Sequence, residues 1–399
     1  MDSNSPFSLS RRGFVGGVAT ALGSLALSPE TARAAEVLLK QGGGTINRPF
    51  AADDYDTYAK LAANENPYGP PESVMTAMTQ AIKYSNRYGY PDGNIVAEIA
   101  KHHGLSPDNI MLGAGSGEIL SVVALALLEG NKKVVGVDPT FMTVYQFATG
   151  AKAESIRLPL RPDYGQDIPL MISTTRRNWR DVGLVYLCNP NNPTGRIITS
   201  AEVKQLLDGI PEDIPVLIDE AYHHFVNTPD YTTSIPYIKE GRPVIIARTF
   251  SKIAALAGMR LGYAVASPDM LARLRPHSIA SINAMVKWGG VAALRDTESQ
   301  ARVKKVTVEL RDKTTRELKG LGYDVIPSEA NFVMIGIKRP VQPVIDDFKA
   351  KGVLVGRPFP PMTQHLRVSI GTPDEMQRFM TGFKEIFATP ARATGSNQK

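Results

Sequence analysis

Four short polar stretches each adjoin a run of apolar residues and carry side chains able to do chemistry. Arg248-Thr249-Phe250-Ser251-Lys252 follows the run 244–247, with Arg260 eight residues beyond the lysine. Asp219-Glu220-Ala221-Tyr222 follows Val216-Leu217-Ile218, and Asn189-Pro190-Asn191-Asn192-Pro193-Thr194-Gly195 follows Val185-Tyr186-Leu187-Cys188. Gly113-Ala114-Gly115-Ser116-Gly117-Glu118 opens a helical pattern. A lysine at a strand end can form a Schiff base with a carbonyl and move a proton. An aspartate ending a buried strand is costly unless it meets a cation. A glycine-rich turn lets backbone N–H groups at a helix start approach an anion. Taken singly, these features have bland readings as a solvated lysine, a strand-end cap and an ordinary helix start. Glu118 occupies the position where a dinucleotide fingerprint needs a third small residue, so that motif is absent.

The side chains can act together only if the strand ends are neighbours. The continuous β-branched runs 134–137, 182–187, 216–218 and 244–247 suit strands covered on both faces. Helical stretches at 117–128, 141–149 and 200–208 alternate with them. This rhythm predicts an α/β fold with a doubly wound, mostly parallel sheet whose ligands bind outside the carboxyl ends of the strands. Helices are also expected over 71–84 and over 94–103, the second ending at Gly104. A long helical region over 279–321 leads to a smaller α/β pattern: a strand at 331–337, a helix at 341–351, a strand at 366–370 and a final helix from Pro373. The chain therefore divides into a large domain over 67–285 and a small one over 286–390, with an arm at 35–66 joining the latter and a tail at 391–399.

Composition narrows the class further. The 399 residues include 45 Lys and Arg against 39 Asp and Glu, a net charge of +6, and the mean hydropathy is −0.13. Those are the values of a soluble globular protein. A single cysteine excludes an internal disulfide framework and a cysteine-cluster metal site. No basic run interleaved with aromatics marks a nucleic-acid surface. The pairs His102-His103 and His223-His224 are adjacent in sequence, and neighbours i,i+1 on a helix do not face each other, so no metal site is expected. At the N-terminus, Ser10-Arg11-Arg12-Gly13-Phe14 precedes a short apolar stretch over 14–27, and Ala32-Arg33-Ala34 follows. This is the layout of a cleavable export signal over 1–34, too short for an easy membrane span, and its arginine pair resembles the twin-arginine signal that carries proteins across already folded.

Together, a strand-end lysine, a buried aspartate, an amide before Pro-Thr-Gly and an anion site meet the needs of pyridoxal 5′-phosphate. The chain resembles the fold-type I pyridoxal-phosphate aminotransferases of the histidinol-phosphate aminotransferase-like branch. The likeness runs from Leu61-Ala62-Ala63-Asn64-Glu65-Asn66-Pro67 to Leu366-Arg367-Val368-Ser369-Ile370-Gly371-Thr372. Its most specific block is Thr249-Phe250-Ser251-Lys252 with Ala257-Gly258-Met259-Arg260-Leu261-Gly262. The resemblance implies that Lys252 is the Schiff-base lysine and that Asp219 pairs with the pyridine nitrogen. Asn192 and Tyr222 would bond the phenolic oxygen, and Ser116, Gly117, Thr249, Ser251 and Arg260 would hold the phosphate. Phe141 would stack on the ring, while Arg367, Asn66 and Arg357 would contact substrate. Of Tyr88 and Tyr90, Tyr90 matches better the tyrosine that reaches the neighbouring subunit's cofactor, which implies a homodimer with a shared site.

The stretch Gly352-Val353-Leu354-Val355-Gly356-Arg357 carries an extra Gly356 relative to the family pattern, which puts the usual phosphate-binding role of Arg357 in question. Export also sits awkwardly with a cytoplasmic biosynthetic substrate. The expected activity is transfer of an amino group from an α-amino acid or a histidinol-phosphate-like amine to a 2-oxo acid. Decarboxylation, elimination, racemisation or oxidation on the same scaffold is the competing reading, since phosphothreonine decarboxylases share the family.

Overall fold

A computed structural model describes residues 54–388 apart from Ala280. The leader, the arm as far as residue 53 and the tail lie outside the described residues. The strands, in chain order, are β1 (Ala59–Leu61), β2 (Ile110–Gly113), β3 (Lys133–Asp138), β4 (Ser155–Pro159), β5 (Val182–Cys188), β6 (Val216–Asp219), β7 (Val244–Thr249), β8 (Gly262–Val265), β9 (Asp324–Ile326), β10 (Phe332–Gly336), β11 (Val353–Val355) and β12 (His365–Ser369). Seven of them form one sheet in the order β2-β8-β7-β6-β5-β3-β4. The pairings from β4 to β7 are parallel, and β8 runs against both β7 and β2. The mostly parallel sheet is thus as expected. Its interior strands β6 and β7 are buried throughout, as their unbroken apolar sequence requires.

Two apolar cores flank this sheet, and a third lies among β1, β10, β11, β12 and the helices Val341–Ala350 and Pro373–Ala388. There, β10 pairs antiparallel with β9 and β12, while β1 pairs in parallel with β11. The early stretch 59–61 is therefore built into the same layer as the C-terminal strands. The expected helix over 279–321 is two helices, Ala284–Arg295 and Thr297–Gly320. Asp296 divides them because its carboxylate caps the second helix, accepting the Ser299 N–H at 3.0 Å.

The rings of His223 and His224 lie 3.7 Å apart between centroids, and those of His102 and His103 lie 4.8 Å apart. The first pair sits on a 3-10 turn, His223–Phe225, where α-helical spacing does not apply, whereas His102 and His103 are the last two residues of the helix Ile95–His103. No group of three or more His, Cys, Asp or Glu side chains arranged to hold a metal occurs among the described residues.

Burial holds His103 at a pKa of about 3 and pushes His223 and His224 well below the usual imidazole range. These groups stay neutral when folded but take up protons when unfolded. Their contribution is intact above the unfolded value near 6.5 and is lost as pH falls below it. Over pH 7.5 to 5.5 the loss for each is on the order of 1 kcal/mol. In the cofactor-free protein Asp219 works in the opposite sense, because burial raises its carboxyl to about 7. Acidification then relieves about 2 kcal/mol over the same interval. Because the lowered histidines outnumber the one raised carboxyl, a net loss of stability on acidification is expected, measurable by urea denaturation at the two pH values. Equal stability at both would refute it.

Candidate active site

The carboxyl ends of β3, β5, β6 and β7 lie side by side, with Cys188 opposite Asp219 and Asp219 opposite Ala247. Asp219 is buried, and its carboxylate accepts the Ala221 N–H at 3.1 Å. Among the described residues it has no ion-pair partner, and burial accounts for its raised pKa. The Lys252 amine donates to the Ala63 carbonyl at 3.2 Å and stands 5.5 Å from the centre of the Tyr222 ring. Burial, aided by the charge of Arg367, lowers its pKa to about 8. The Tyr222 hydroxyl accepts from Asn64 Nδ2 at 3.1 Å and from Asn192 Nδ2 at 3.4 Å, and burial pushes it up to about 12.

Arg367 reaches this cluster from β12. Its Nη1 donates to Asn192 Oδ1 at 2.7 Å and its Nη2 to the Ala62 carbonyl at 2.5 Å, while its buried Nε has no hydrogen-bond partner among the described residues. Burial draws the guanidinium down to about 10. Gly356 is what lets Arg367 sit here. A Cβ at Gly356 would come within 2.8 Å of the Arg367 carbonyl and 3.1 Å of its Cβ. The extra glycine noted in the sequence thus packs beneath Arg367. Arg357 is exposed, donates to the Pro358 carbonyl at 3.0 Å and stands 4.5 Å from the centre of the Phe359 ring, which Arg367 approaches at 4.6 Å. Two guanidinium groups therefore share one aromatic ring.

An anion cup lies at the start of the helix Ser116–Leu127. Gly115 precedes that helix with φ +79°, and a Cβ there would collide with the Arg260 guanidinium. Arg260 donates to the Ala114 carbonyl at 3.1 Å, to the Ala257 carbonyl at 2.7 Å and to Ser251 Oγ at 3.4 Å. Thr249 and Ser251 are joined through their hydroxyls at 2.8 Å. Behind the cup, Gly262 of β8 has backbone on two sides. A Cβ there would lie 2.4 Å from the Ser116 nitrogen and 2.8 Å from the Arg248 carbonyl. Gly262→Ala must displace one of these main chains, so it is expected to destabilise the protein by about 1–3 kcal/mol. Cofactor affinity should fall at least about tenfold, equivalent to 1.4 kcal/mol. Thermal unfolding and a cofactor titration measure both, and unchanged affinity would contradict the account.

The remaining expected residues are spread more widely. Phe141 is half-exposed beyond β3, and its carbonyl accepts the Tyr186 hydroxyl at 3.1 Å. Tyr88 and Tyr90 both stand on the surface. Tyr88 lines a cavity of about 690 Å³ with Arg260, Met259 and Ala114, and Tyr90 is not part of that lining. Asn66 spends its amide on the Ile253 carbonyl at 2.9 Å and on the Tyr68 N–H at 3.1 Å. The residue brought against Tyr222 is instead Asn64, at φ 55°, whose side chain is further held by the Ser369 hydroxyl at 2.8 Å. Sequence reasoning passed over Asn64. Its sole signal was a second asparagine in Asn64-Glu65-Asn66, at a position where asparagine tolerates left-handed backbone.

With this geometry in place, the comparisons with known proteins are direct. Residues 56–383 match the model of the family "Aminotransferase class I and II". The chain belongs to that family. It is 36% identical over 338 residues to the histidinol-phosphate aminotransferase of Moorella thermoacetica, covering 82% of this chain and 85% of the relative. An enzyme of the same name from Carboxydothermus hydrogenoformans is 36% identical over 337 residues, covering 82% of this chain and 90% of that one. The crystal structure of histidinol-phosphate aminotransferase from Sinorhizobium meliloti, in complex with pyridoxal 5′-phosphate, superposes with a TM-score of 0.76 at 26% identity, covering 83% of this chain and 91% of that one. This family member is a pyridoxal-phosphate-dependent aminotransferase of fold type I. The donor set fits the cofactor: a buried carboxylate without a cation, a lysine of lowered pKa and an anion cup at a helix start. When bound, the cofactor supplies an electron sink that acidifies the α-hydrogen of an amino group joined to it.

Proposed function

We propose that the chain transfers the amino group of an α-amino acid to a 2-oxo acid at the cluster of Lys252, Asp219, Asn192, Tyr222 and Arg367. The observation that carries this reading is the convergence of Arg367 from β12 on Asn192 and Tyr222, with an orphaned Nε. A planar guanidinium held beside a lysine of pKa about 8 is suited to a substrate carboxylate whose α-amino group must meet that lysine's site. Lys252 is the anchor and the base for the α-hydrogen. Asp219 holds the ring nitrogen protonated, and Asn192 and Tyr222 donate to the phenolic oxygen. Ser116, Gly117, Thr249, Ser251 and Arg260 bind the phosphate, and Phe141 covers the ring face. Arg357, sharing the Phe359 ring with Arg367, serves substrates whose anionic group is larger or more highly charged than a carboxylate, and the phosphate of histidinol phosphate is one such group.

The test is a half-reaction screen. Holoenzyme is mixed with single amino acids and with histidinol phosphate, with no acceptor present. Absorbance of the bound cofactor moves from its aldehyde to its amine form for true donors. Release of CO₂ or ammonia without that change would instead mark a decarboxylase or lyase.

Export through the twin-arginine pathway and assembly as a homodimer complete the proposal. Arg11-Arg12 with the following apolar stretch supports the first, and a lone, buried, unpaired Cys188 suits a chain that folds before export. The exposed Tyr88 and Tyr90 support the second, with Tyr90 reaching the neighbouring cofactor. Cell fractionation beside Arg11→Lys/Arg12→Lys tests the former, and light scattering tests the latter. Retention of wild type in the cytoplasm, or a monomer by scattering, would overturn the respective statement.

A further inference from the structure

Behind the cofactor residues lies a second charged pair. Glu220 and Arg248 meet at 2.6 Å, with side chains 1% and 5% exposed. Glu220 follows Asp219 directly, and Arg248 directly precedes Thr249. Adjacent residues of an extended chain point to opposite faces, so the pair lies on the reverse of the sheet from the site. The Glu220 N–H continues the ladder to the Ala247 carbonyl at 3.0 Å. Its carboxylate accepts from Arg248 Nε at 3.1 Å, from Thr233 Oγ1 at 2.9 Å and from the Ser234 N–H at 2.7 Å. Arg248 is the sole cation paired with Glu220 among the described residues. The other titratable groups around Arg248 include His102, His103, His223, His224, Tyr231 and Tyr263, all favoured in their neutral forms by burial. On the site face, Asp219 is met by Lys252, Tyr222 and Cys188.

We propose that Arg248 is a positioning residue for the cofactor: by neutralising Glu220 it keeps the neighbouring Asp219 ionised. A buried carboxylate beside an uncompensated anion binds a proton more tightly. Asp219 would then meet the ring nitrogen as a neutral acid and cease to hold it protonated. The pair also spans the two strand ends that carry Asp219 to Tyr222 and Thr249 to Lys252. The inference rests on the assignment of Asp219 to the ring nitrogen.

An electrostatic shield and a structural brace predict different outcomes. The readouts are the cofactor dissociation constant of the apo-protein at pH 8 and its thermal unfolding. Arg248→Met leaves Glu220 unpaired and is expected to weaken cofactor binding at least tenfold. Glu220→Gln removes the anion itself, and it should stay within threefold of wild type even though its unfolding midpoint falls. Arg248→Met/Glu220→Gln should also return to within threefold. A tenfold loss in Glu220→Gln or in the double variant overturns the proposal, because a brace is broken equally from either end. Wild-type affinity in Arg248→Met overturns it as well. If Arg248→Met gives no soluble protein, the other two variants decide by the same limits. Asp219→Ala is the control for the underlying assignment: unchanged affinity in that variant would remove the assignment itself, separately from any result at Arg248.

Discussion

Lys252→Ala is expected to lower transamination at least about a thousandfold while the protein stays folded and still takes up the cofactor without a covalent bond. The amine donates a single hydrogen bond, to the Ala63 carbonyl, and burial with the nearby Arg367 charge lowers its pKa to about 8. At pH 7.5 roughly a quarter of the molecules then carry a free amine, against about one in a thousand at the usual lysine value. That free amine is what attacks an aldehyde and what removes an α-hydrogen, and alanine offers neither. Truncation also takes a desolvated cation out of the site, so its effect on folding is small or stabilising. Single-turnover kinetics and circular dichroism check the two halves. Activity within tenfold of wild type would refute the role of Lys252. In the wild type, covalent loading should quicken as pH rises through 8, because the reactive form is the deprotonated one.

The legible parts of the fold were those in which burial writes a continuous pattern. β5, β6 and β7 are covered on both faces, and their unbroken apolar runs ended where the strands end, within two residues. Since a parallel sheet puts its ligand at those ends, Asp219, Asn192 and Lys252 could be grouped before any coordinates. The short strands β1 and β9 are not legible because three residues carry no period. β4 was missed because most of its side chains are not buried. Asn64 depends on β1 pairing with β11 across nearly 300 residues, a contact no local pattern encodes. Gly262 and Gly356 were visible as letters, but their reason is a backbone approach from a distant strand or helix start. The break at Asp296 is of another kind. An aspartate before Thr-Glu-Ser is a readable N-cap, and the helical run on either side hid it.

Arg367→Ala is expected to cost about a thousandfold in kcat/KM for α-amino acids, mostly through KM, while amines with no anionic group lose less than about fivefold. Two charge-assisted hydrogen bonds to a carboxylate contribute about 1.5–3 kcal/mol each, which sets the scale of the loss. In the free protein the same guanidinium bonds Asn192 Oδ1 and the Ala62 carbonyl, so substrate must take donors from these groups or use the orphaned Nε. Alanine also exposes the site to a proton effect. Arg367 is second only to burial in lowering the Lys252 pKa, so its removal pushes that amine up and shrinks the free fraction near neutrality. Measuring an amino acid and its amino alcohol at pH 8 and again at pH 9 separates the two causes. A loss confined to the amino acid at both values is carboxylate recognition, whereas a loss shared by both compounds that recovers at pH 9 is the altered lysine. Equal, pH-independent losses for the two would show that Arg367 acts only by holding Asn192 in place. Histidinol phosphate is the phosphate ester of an amino alcohol, and its phosphate hangs from the carbon that is the carboxyl carbon in an α-amino acid. If it is the natural donor, its turnover falls in Arg367→Ala as an amino acid's does, and Arg357→Ala lowers it by more than it lowers a monocarboxylate amino acid, because the doubly charged phosphate can engage both guanidinium groups beside Phe359.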